Sequence, residues 1–584
     1  MKTLEAFLSP EQQAIARLSS EGNLLVVAGP GSGKTHLLTH VAAYQVRRSH
    51  PAPWRVLCLT FSTEATKEMR TRIRDPRLKV GTPWRISVAN FHGFANQLLG
   101  SYGHLQGWPR DAQIFDDTEA REVVSEVITE LGLRGVNAKD GFDAIKSLRL
   151  RRVSGLRVPA ETLNRLSEAY EKRMAELRVR DYDQLILHSI DLLDQQPRVA
   201  EIIRQTYRYI VVDELQDTSG FQLEFVARLS GEGSTPIFAV ADNDQMIYGW
   251  RDARAENITE WETRFGAERK HLLGNYRCPP IVVQAANSLI AHNRPLGESA
   301  PYSLRTDRQG EIFVAKTSLN DERLEGELVA DIVEAELARG IPPDRIAILA
   351  PNRFLFDTIE ESLKGRDIHC VRVGEDPAAA RPFARVLRAA LALAVTPTNA
   401  RARARLAKLL GYAASPADAD EPIESLLVPT TIHTLAERVR EELGLDDDDP
   451  DVVRGRQILT LAQHEWGGEP PSVLGRRIAL EWHRLSVQIQ RRETAVKMMT
   501  TFGAKGLEFR VVILPGFGDQ MPYVPRGQTL TAERLEEERR KLYVAITRSE
   551  DRLFFVYRSA TPSRFLGEID QQLLTPYRQG QTNW

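Results

Sequence analysis

Short apolar runs alternate along this chain with stretches whose apolar residues recur at helical spacing. The runs are LLVVA (Leu24–Ala28), VLCLTF (Val56–Phe61), IVV at the head of IVVDELQDTS (Ile210–Ser219) and PIFAVA (Pro236–Ala241). Each has the length and continuity of a strand buried on both faces. Helix-like sequence follows the first two, as in TEATKEMRTRI. Strands alternating with helices predict a parallel sheet covered on both sides, with ligands at the C-terminal ends of its strands. A second series starts near Glu311 with EIFVAK, an amphipathic stretch around Glu325–Leu337 and RIAILAP (Arg345–Pro351). It resumes with MMTTFGAKGLEFRVVILPGF, and ERRKLYVAITRS and DRLFFVYR close it. Helical sequence without strand signal fills 102–195, and Ala- and Arg-rich helical sequence fills 381–493.

The expected fold class is therefore α/β, with two parallel-sheet domains, each carrying an inserted, mainly helical subdomain. The first domain is expected over 1–101 and 196–275, interrupted by the insertion 102–195. The second is expected over 276–380 and 494–584, interrupted by 381–493. The acidic run Asp446–Asp449 before Pro450 reads as a solvated loop.

Composition narrows the class. With 584 residues there is room for about three or four domains. No apolar run approaches the ~20 residues of a membrane span, and MKTLEAFLSPEQQ lacks a basic region followed by an apolar one, so a cytoplasmic protein is expected. Cys58, Cys278 and Cys370 lie far apart, which excludes an internal cysteine-rich metal framework and predicts three inert thiols. A net charge of −2 means that any nucleic-acid contact must come from a local groove.

Candidate chemistry sits where the strands end. Ala28, Gly29, Pro30, Gly31, Ser32, Gly33, Lys34 and Thr35 spell AGPGSGKT between a strand and a helix. Small residues let backbone N–H groups wrap phosphates, a lysine reaches the β and γ phosphates, and a hydroxyl ligates Mg²⁺. Only Ala28, at the first glycine position of the usual pattern, departs. Asp213 and Glu214 end the IVV strand, where one carboxylate holds Mg²⁺ and its neighbour can activate water. Arg277 and Arg548 are candidates for positive charge on the γ phosphate. After PIFAVA comes a polar turn and then Tyr248, Trp250 and Arg251, an arrangement that either packs a core or stacks on bases.

Together these pieces resemble the UvrD/Rep/PcrA family of superfamily 1 DNA helicases. LSPEQQAI resembles its glutamine motif, LTFSTEATKEM its motif Ia, NFHGFANQLL its TFHS segment and DYDQLI its DFDDLI. VVDELQDTS, VADNDQMIYGWRDA, LGNYRCPP, TTFGAKGLEF, EEERRKLYVAITRS and PSRFL follow in the family's order. The resemblance implies two RecA-like domains of the phosphate-loop type, ATP with Mg²⁺ between them, and 3′→5′ travel on single-stranded DNA. It implies Lys34, Thr35 and Asp213 on phosphate and Mg²⁺, Glu214 as general base and Gln245 as γ-phosphate sensor. Arg277 and Arg548 would reach from the second domain as arginine fingers, Gln12 would read adenine, Tyr276 would stack on it and Glu508 would touch the ribose. Tyr248 and Trp250 would stack on DNA bases and Arg251 would hold a phosphate. Phe61 and Phe91 are base contacts or core rings, and His92 is a phosphate contact or a structural residue.

Departures concern DNA rather than hydrolysis: Glu64 stands where the family often has lysine, Phe502 where it often has histidine, and Asn90 replaces a common threonine. The 381–493 insertion is short for the family. Only about twenty residues follow PSRFL, too few for a fused nuclease. Three readings follow: an autonomous helicase acting on single strands and tailed duplexes, a motor needing a separate nuclease, repair or defence subunit, and a DNA-end-binding switch that does not move. RNA remains possible as the strand, since stacking tolerates both sugars.

Overall fold

The computed structural model describes residues 7–48, 52–78, 80–109, 112–149, 158–247, 256–294, 300–374, 381–395, 397, 400–412, 420–427, 431–519, 521–522, 529–558 and 561–578. The chain forms two compact units. The first comprises Met1–Gly310, Thr529–Thr547 and Glu568–Asp570, and the second comprises Glu311–Gln528, Arg548–Gly567 and Gln571–Trp584.

The first unit opens with α1 (Pro10–Leu18), β1 (Leu24–Ala28), α2 (Lys34–Arg48), β2 (Arg55–Thr60), α3 (Thr63–Ile73), β3 (Ile86–Asn90) and α4 (Phe91–Tyr102). Strands β4 (Tyr207–Val212), β5 (Ile237–Ala241) and β6 (Glu268–Leu272) complete a six-stranded sheet in the order β3-β2-β4-β5-β1-β6. Every pairing in it is parallel. Side chains alternate between two cores, as strand geometry requires. Leu25, Leu57, Leu59, Ile210, Val212 and Ala239 face one core with Phe94 and Trp261. Leu24, Val26, Val56, Cys58, Val211 and Phe238 face the other with Leu37, Leu38 and Met69. Each such aliphatic side chain contributes ~2 kcal/mol by leaving water. Helices start where capping side chains precede them: Ser62 accepts from the Ala65 N–H (3.0 Å) and Asn90 from the Gly93 N–H (2.7 Å).

The helices Asp117–Glu130, Ala138–Arg149 and Ala160–Leu177 have a core of their own around Val124, Phe142, Leu166 and Tyr170. A short parallel pair, Gln113–Ile114 with Val179–Arg180, closes this subdomain, although the sequence carries no strand signal there. Two-residue strands are too short to show a period. The helix Tyr182–Gln195 contributes Leu185, Ile186 and Leu192 to the sheet's main core. Asp181 caps that helix and binds back to the subdomain, accepting from the Tyr170 hydroxyl (2.8 Å) and pairing with Arg149 (2.9 Å).

The second unit is a seven-stranded parallel sheet. Its strands are β7 (Glu311–Lys316), β8 (Ile346–Ala350), β9 (Cys370–Arg372), β10 (Val496–Thr500), β11 (Phe509–Leu514), β12 (Ser549–Tyr557) and β13 (Thr575–Pro576). Their order is β9-β10-β8-β11-β12-β7-β13. A helical subdomain includes Pro382–Val395, Ile432–Glu442, Pro450–Trp466 and Pro471–Arg492 around Phe383, Leu387, Val439 and Trp482. Within the acidic run, Asp449 caps Pro450–Trp466 by accepting from the Asp451 N–H (2.8 Å), and Asp447 pairs with Arg456 (2.7 Å).

By their contacts Tyr276–Gly310 and the helix Ala532–Ile546 group with the first compact unit. The polar side chains of that helix reach first-unit groups: Arg540 Nε donates to the Met246 carbonyl (3.0 Å) and Arg539 pairs with Glu568 (2.7 Å). Apolar periodicity assigns an element its type but not its sheet, so these contacts were invisible to pattern. Among the described residues no helix is long and apolar enough to cross a membrane. Cys58 and Cys278 are buried and Cys370 half-buried, and burial pushes the Cys58 thiol well above its usual range.

Candidate active site

Strands β4, β5 and β1 are neighbours, so their C-terminal ends meet at one edge of the first sheet. The loop after β1 turns twice through left-handed backbone, at Gly31 (φ 70°) and Gly33 (φ 81°). A Cβ on Gly31 would lie 2.7 Å from both Arg277 Cβ and Asn275 Oδ1, so approach as well as backbone sign demands glycine. Ala28 is the last residue of β1, and its methyl is buried in the core, which explains why alanine is accepted there.

The loop is braced from three sides. Asn275 Nδ2 donates to the Pro30 carbonyl (2.7 Å), while its Oδ1 accepts from the Arg277 and Cys278 N–H groups (2.8 Å each). The Tyr276 N–H donates to the Gly31 carbonyl (2.8 Å). Gln12 Nε2 donates to the Ser32 carbonyl (3.1 Å), and the Ser32 hydroxyl to the Gly29 carbonyl (2.7 Å). This leaves the loop's shape fixed and its N–H groups at the start of α2, an arrangement suited to phosphate.

Lys34, the first residue of α2, has a buried Nζ with no hydrogen-bond partner. It lies 3.6 Å from Asp242 Oδ2 and 4.0 Å from Glu214 Oε2. Asp213 directly follows β4 and is buried. Burial, then the adjacent Glu214 charge, pushes its carboxyl above the usual range, and Lys34 only partly opposes this. Glu214 holds a left-handed backbone (φ 51°, ψ 48°), a conformation costly for a residue with a Cβ. Gln216 Nε2 donates to Glu214 Oε2, and Gln216 Oε1 accepts from the Asp242 N–H (2.9 Å). Gln245 Nε2 donates to Asp242 Oδ2 (2.6 Å). Three carboxylates thus surround one lysine, which leaves the cluster short of positive charge. An unsatisfied buried ammonium beside a rigid N–H cradle fits a phosphate group. The charge-starved Asp213, with half-buried Thr35 one residue after Lys34, fits a divalent cation held jointly with phosphate oxygens. Among the described residues no three His, Cys, Asp or Glu side chains form a metal cluster by themselves.

Beside the loop lies a cavity of about 520 Å³ lined by Phe7, Leu8, Ser9, Gln12, Gly33, His36 and Tyr276. Tyr276 is 41% exposed, so its ring face is available there, and Gln12 sits in the same wall.

Not every expected residue falls in this cluster. Arg277 stands beside the phosphate loop, with Nη1 3.5 Å from the Thr547 carbonyl. Its segment leaves the sheet edge at Asn275, whose side chain fastens it to the loop. Glu508 and Arg548 belong to the second unit, Glu508 exposed and Arg548 1% exposed with Nη1 3.2 Å from the Leu507 carbonyl. Phe91 is 1% exposed inside the main core, so packing replaces the base-contact reading: a covered ring has no face to offer. Phe61 is half-buried, and His92 meets the Tyr182 ring edge-on at 5.5 Å. Tyr248, Trp250 and Arg251 lie outside the described residues. Asp242, Gln216 and Asn275 are site residues that sequence reading passed over. Asp242 carried a signal, since it ends an apolar strand just as Asp213 does.

A parallel sheet with a braced phosphate loop and a buried carboxylate cluster at its strand ends defines a phosphate-loop nucleotide-binding enzyme. Residues 8–266 match the UvrD/REP helicase N-terminal domain and residues 474–560 the UvrD-like helicase C-terminal domain. These cover more than half of the chain, which belongs to the UvrD/Rep helicase family. It is 26% identical to the ATP-dependent DNA helicase PcrA of Staphylococcus epidermidis, over 98% of this chain and 88% of that protein. It is 25% identical to that of Staphylococcus aureus, over 97% and 87%.

Proposed function

We propose that the chain is an ATP-driven motor that travels 3′→5′ along single-stranded DNA and separates duplex ahead of it. The observation that carries the reading is the orphaned Lys34 ammonium among Asp213, Glu214 and Asp242 at the mouth of a glycine cradle. Adenine enters the cavity, Tyr276 stacks on it and Gln12 reads its edge. The loop N–H groups and Lys34 take the phosphates. Thr35 and Asp213 hold Mg²⁺, which neutralises charge on the phosphates when bound. Glu214 orients the attacking water and accepts its proton, and Gln216 fixes the carboxylate for that task. Arg277 supplies positive charge from beside the loop, with Arg548 as the second-unit candidate and Glu508 as the ribose contact. Gln245, through Asp242, shares a bond network with Lys34, so its segment senses the γ phosphate. That segment runs on to Tyr248, Trp250 and Arg251, which we assign to base stacking and phosphate contact. Phe61 and His92 are further candidate DNA contacts.

The test is ATP hydrolysis by the purified chain alone and with single-stranded DNA, duplex DNA or RNA, followed by strand separation on 3′- and 5′-tailed duplexes. Stimulation by single-stranded DNA with unwinding only from a 3′ tail is expected. Unwinding from a 5′ tail, or no stimulation by any strand, overturns the reading. Stimulation without unwinding refutes autonomous action and points to a partner subunit.

A further inference from the structure

The opposite end of the first sheet, where the strands begin, carries a feature the motor reading does not use. Trp84, in the turn Pro83–Arg85 that leads into β3, is 61% exposed. The Arg55 guanidinium lies 5.9 Å from its ring centroid. Arg85 is buried and builds the platform beneath: its Nε donates to the Trp54 carbonyl (2.9 Å), its Nη1 to the Val46 carbonyl (3.2 Å), and it lies over the Trp54 ring at 5.5 Å. That links the end of α2, the start of β2 and the start of β3. Arg47 and Arg48 end α2, and Arg208 emerges exposed from β4 beside Tyr207, the partner of Arg55 in the sheet.

Many arginines in this protein are paired with carboxylates, as Arg149 is with Asp181 and Arg264 with Glu232. Among the described residues, Arg47, Arg48, Arg55 and Arg208 have no ion pair, and Arg47 Nη1 is buried without a hydrogen-bond partner. A helix C-terminus accounts for cations at Arg47 and Arg48. It does not account for Arg55 and Arg208, which sit at strand starts, nor for an indole left in water. The segments 46–48, 52–55, 83–85 and 206–208 contain no acidic residue. The net charge of −2 makes this local excess of cations distinctive.

We propose that this strand-entry end is a second contact for single-stranded nucleic acid, separate from the nucleotide end of the sheet. Trp84 offers a ring face to a base, Arg55 backs it, and Arg47, Arg48 and Arg208 take neighbouring phosphates. An acidic peptide would satisfy the arginines but would leave the indole unused. A strand uses both.

The experiment measures equilibrium binding of labelled oligothymidylates of about 10 and about 40 nucleotides to the full chain over a range of salt, the shorter being near one binding site in length. The parent is compared with Trp84→Ala, Trp84→Phe and the double variant Arg55→Ser/Arg208→Ser. All three sites are at the surface, and thermal melting verifies folding. On the longer strand Trp84→Ala is expected to weaken binding roughly 5- to 100-fold, with Trp84→Phe near the parent. The double variant is expected to reduce the salt slope by about 1.4. Hydrolysis stimulated by the short strand is expected to stay at the parent's level, because the nucleotide end is untouched. Unchanged long-strand affinity and salt slope in the variants overturn the proposal. Loss of polyglutamate binding with oligothymidylate binding intact also overturns it and assigns the face to an acidic protein partner. Failure of the parent itself to bind any strand would instead refute the motor reading.

Discussion

Asn275 is a direct test of whether the phosphate loop is held from outside. Its side chain is 2% exposed and satisfies three groups: the Pro30 carbonyl and the N–H groups of Arg277 and Cys278. Asn275→Ala strips all three of their partner. A buried polar group left unpaired costs about 1–3 kcal/mol, and losses through one side chain are not additive, so roughly 3 kcal/mol is expected for the set. In a unit of this size that lowers the melting temperature by about 4 °C. Of the three Asn275 bonds only the one to Pro30 restrains the loop, so about 1 kcal/mol, roughly fivefold, is expected to appear in nucleotide affinity. Asn275→Asp separates the two effects. A carboxylate still accepts from Arg277 and Cys278 but cannot donate to Pro30, and it adds negative charge beside the phosphates. It should therefore melt closer to the parent than the alanine variant, yet bind nucleotide more weakly than it. Titration with a non-hydrolysable ATP analogue and Mg²⁺, alongside thermal melting, reads both quantities. Parent-like affinity in Asn275→Asp, or parent-like melting in Asn275→Ala, would refute the bracing argument.

Further variants probe the rest of the site. Lys34→Ala is expected to abolish turnover, and Glu214→Gln to abolish it while ATP binding persists, as hydrolysis and nucleotide titration together would establish. Gln216→Ala is expected to slow turnover about 10- to 100-fold at unchanged ATP affinity, because it frees the Glu214 carboxylate from the Gln216 amide; equal turnover would remove Gln216 from the mechanism. Phe91→Ala should cost about 3–5 kcal/mol in chemical denaturation, as a core ring does. His40 is buried and its imidazole is pushed down to about 4, chiefly by that burial. Between pH 6.5 and 4 the folded state then binds fewer protons than the unfolded state, so stability falls as pH drops through that window. Replacing it with a residue that does not titrate, as in His40→Gln, should flatten part of that slope in denaturation curves measured at several pH values.

Local features of the site were legible in sequence because their chemistry is contained in a few consecutive residues. AGPGSGKT places its own glycines and Lys34, and IVVDE places Asp213 at a strand end whatever lies elsewhere. The relations between segments were not. Asp242 reaches Lys34 only because β5 lies beside β1 in the sheet, and no spacing along the chain encodes that adjacency. Gln216 sits two residues from Glu214 but takes its role from Asp242, at the end of the adjacent strand β5. Phe91 illustrates the converse: a ring following a strand end suits a base or a core equally well, and only the helix Tyr182–Gln195 packed in the same core decides. The two parallel sheets followed from the apolar runs, whereas the unit to which Tyr276–Gly310 and Ala532–Ile546 attach follows from side-chain contacts that periodicity does not carry.

The left-handed backbone at Glu214 sets selection for robustness against selection for work. Glycine at that position would relieve about 1 kcal/mol of conformational strain. A screen for heat tolerance would therefore rank Glu214→Gly among its winners, while a screen for ATP turnover would discard it. Directed evolution of this enzyme toward higher temperatures should find that gain closed off, and would have to look for stability elsewhere in the fold.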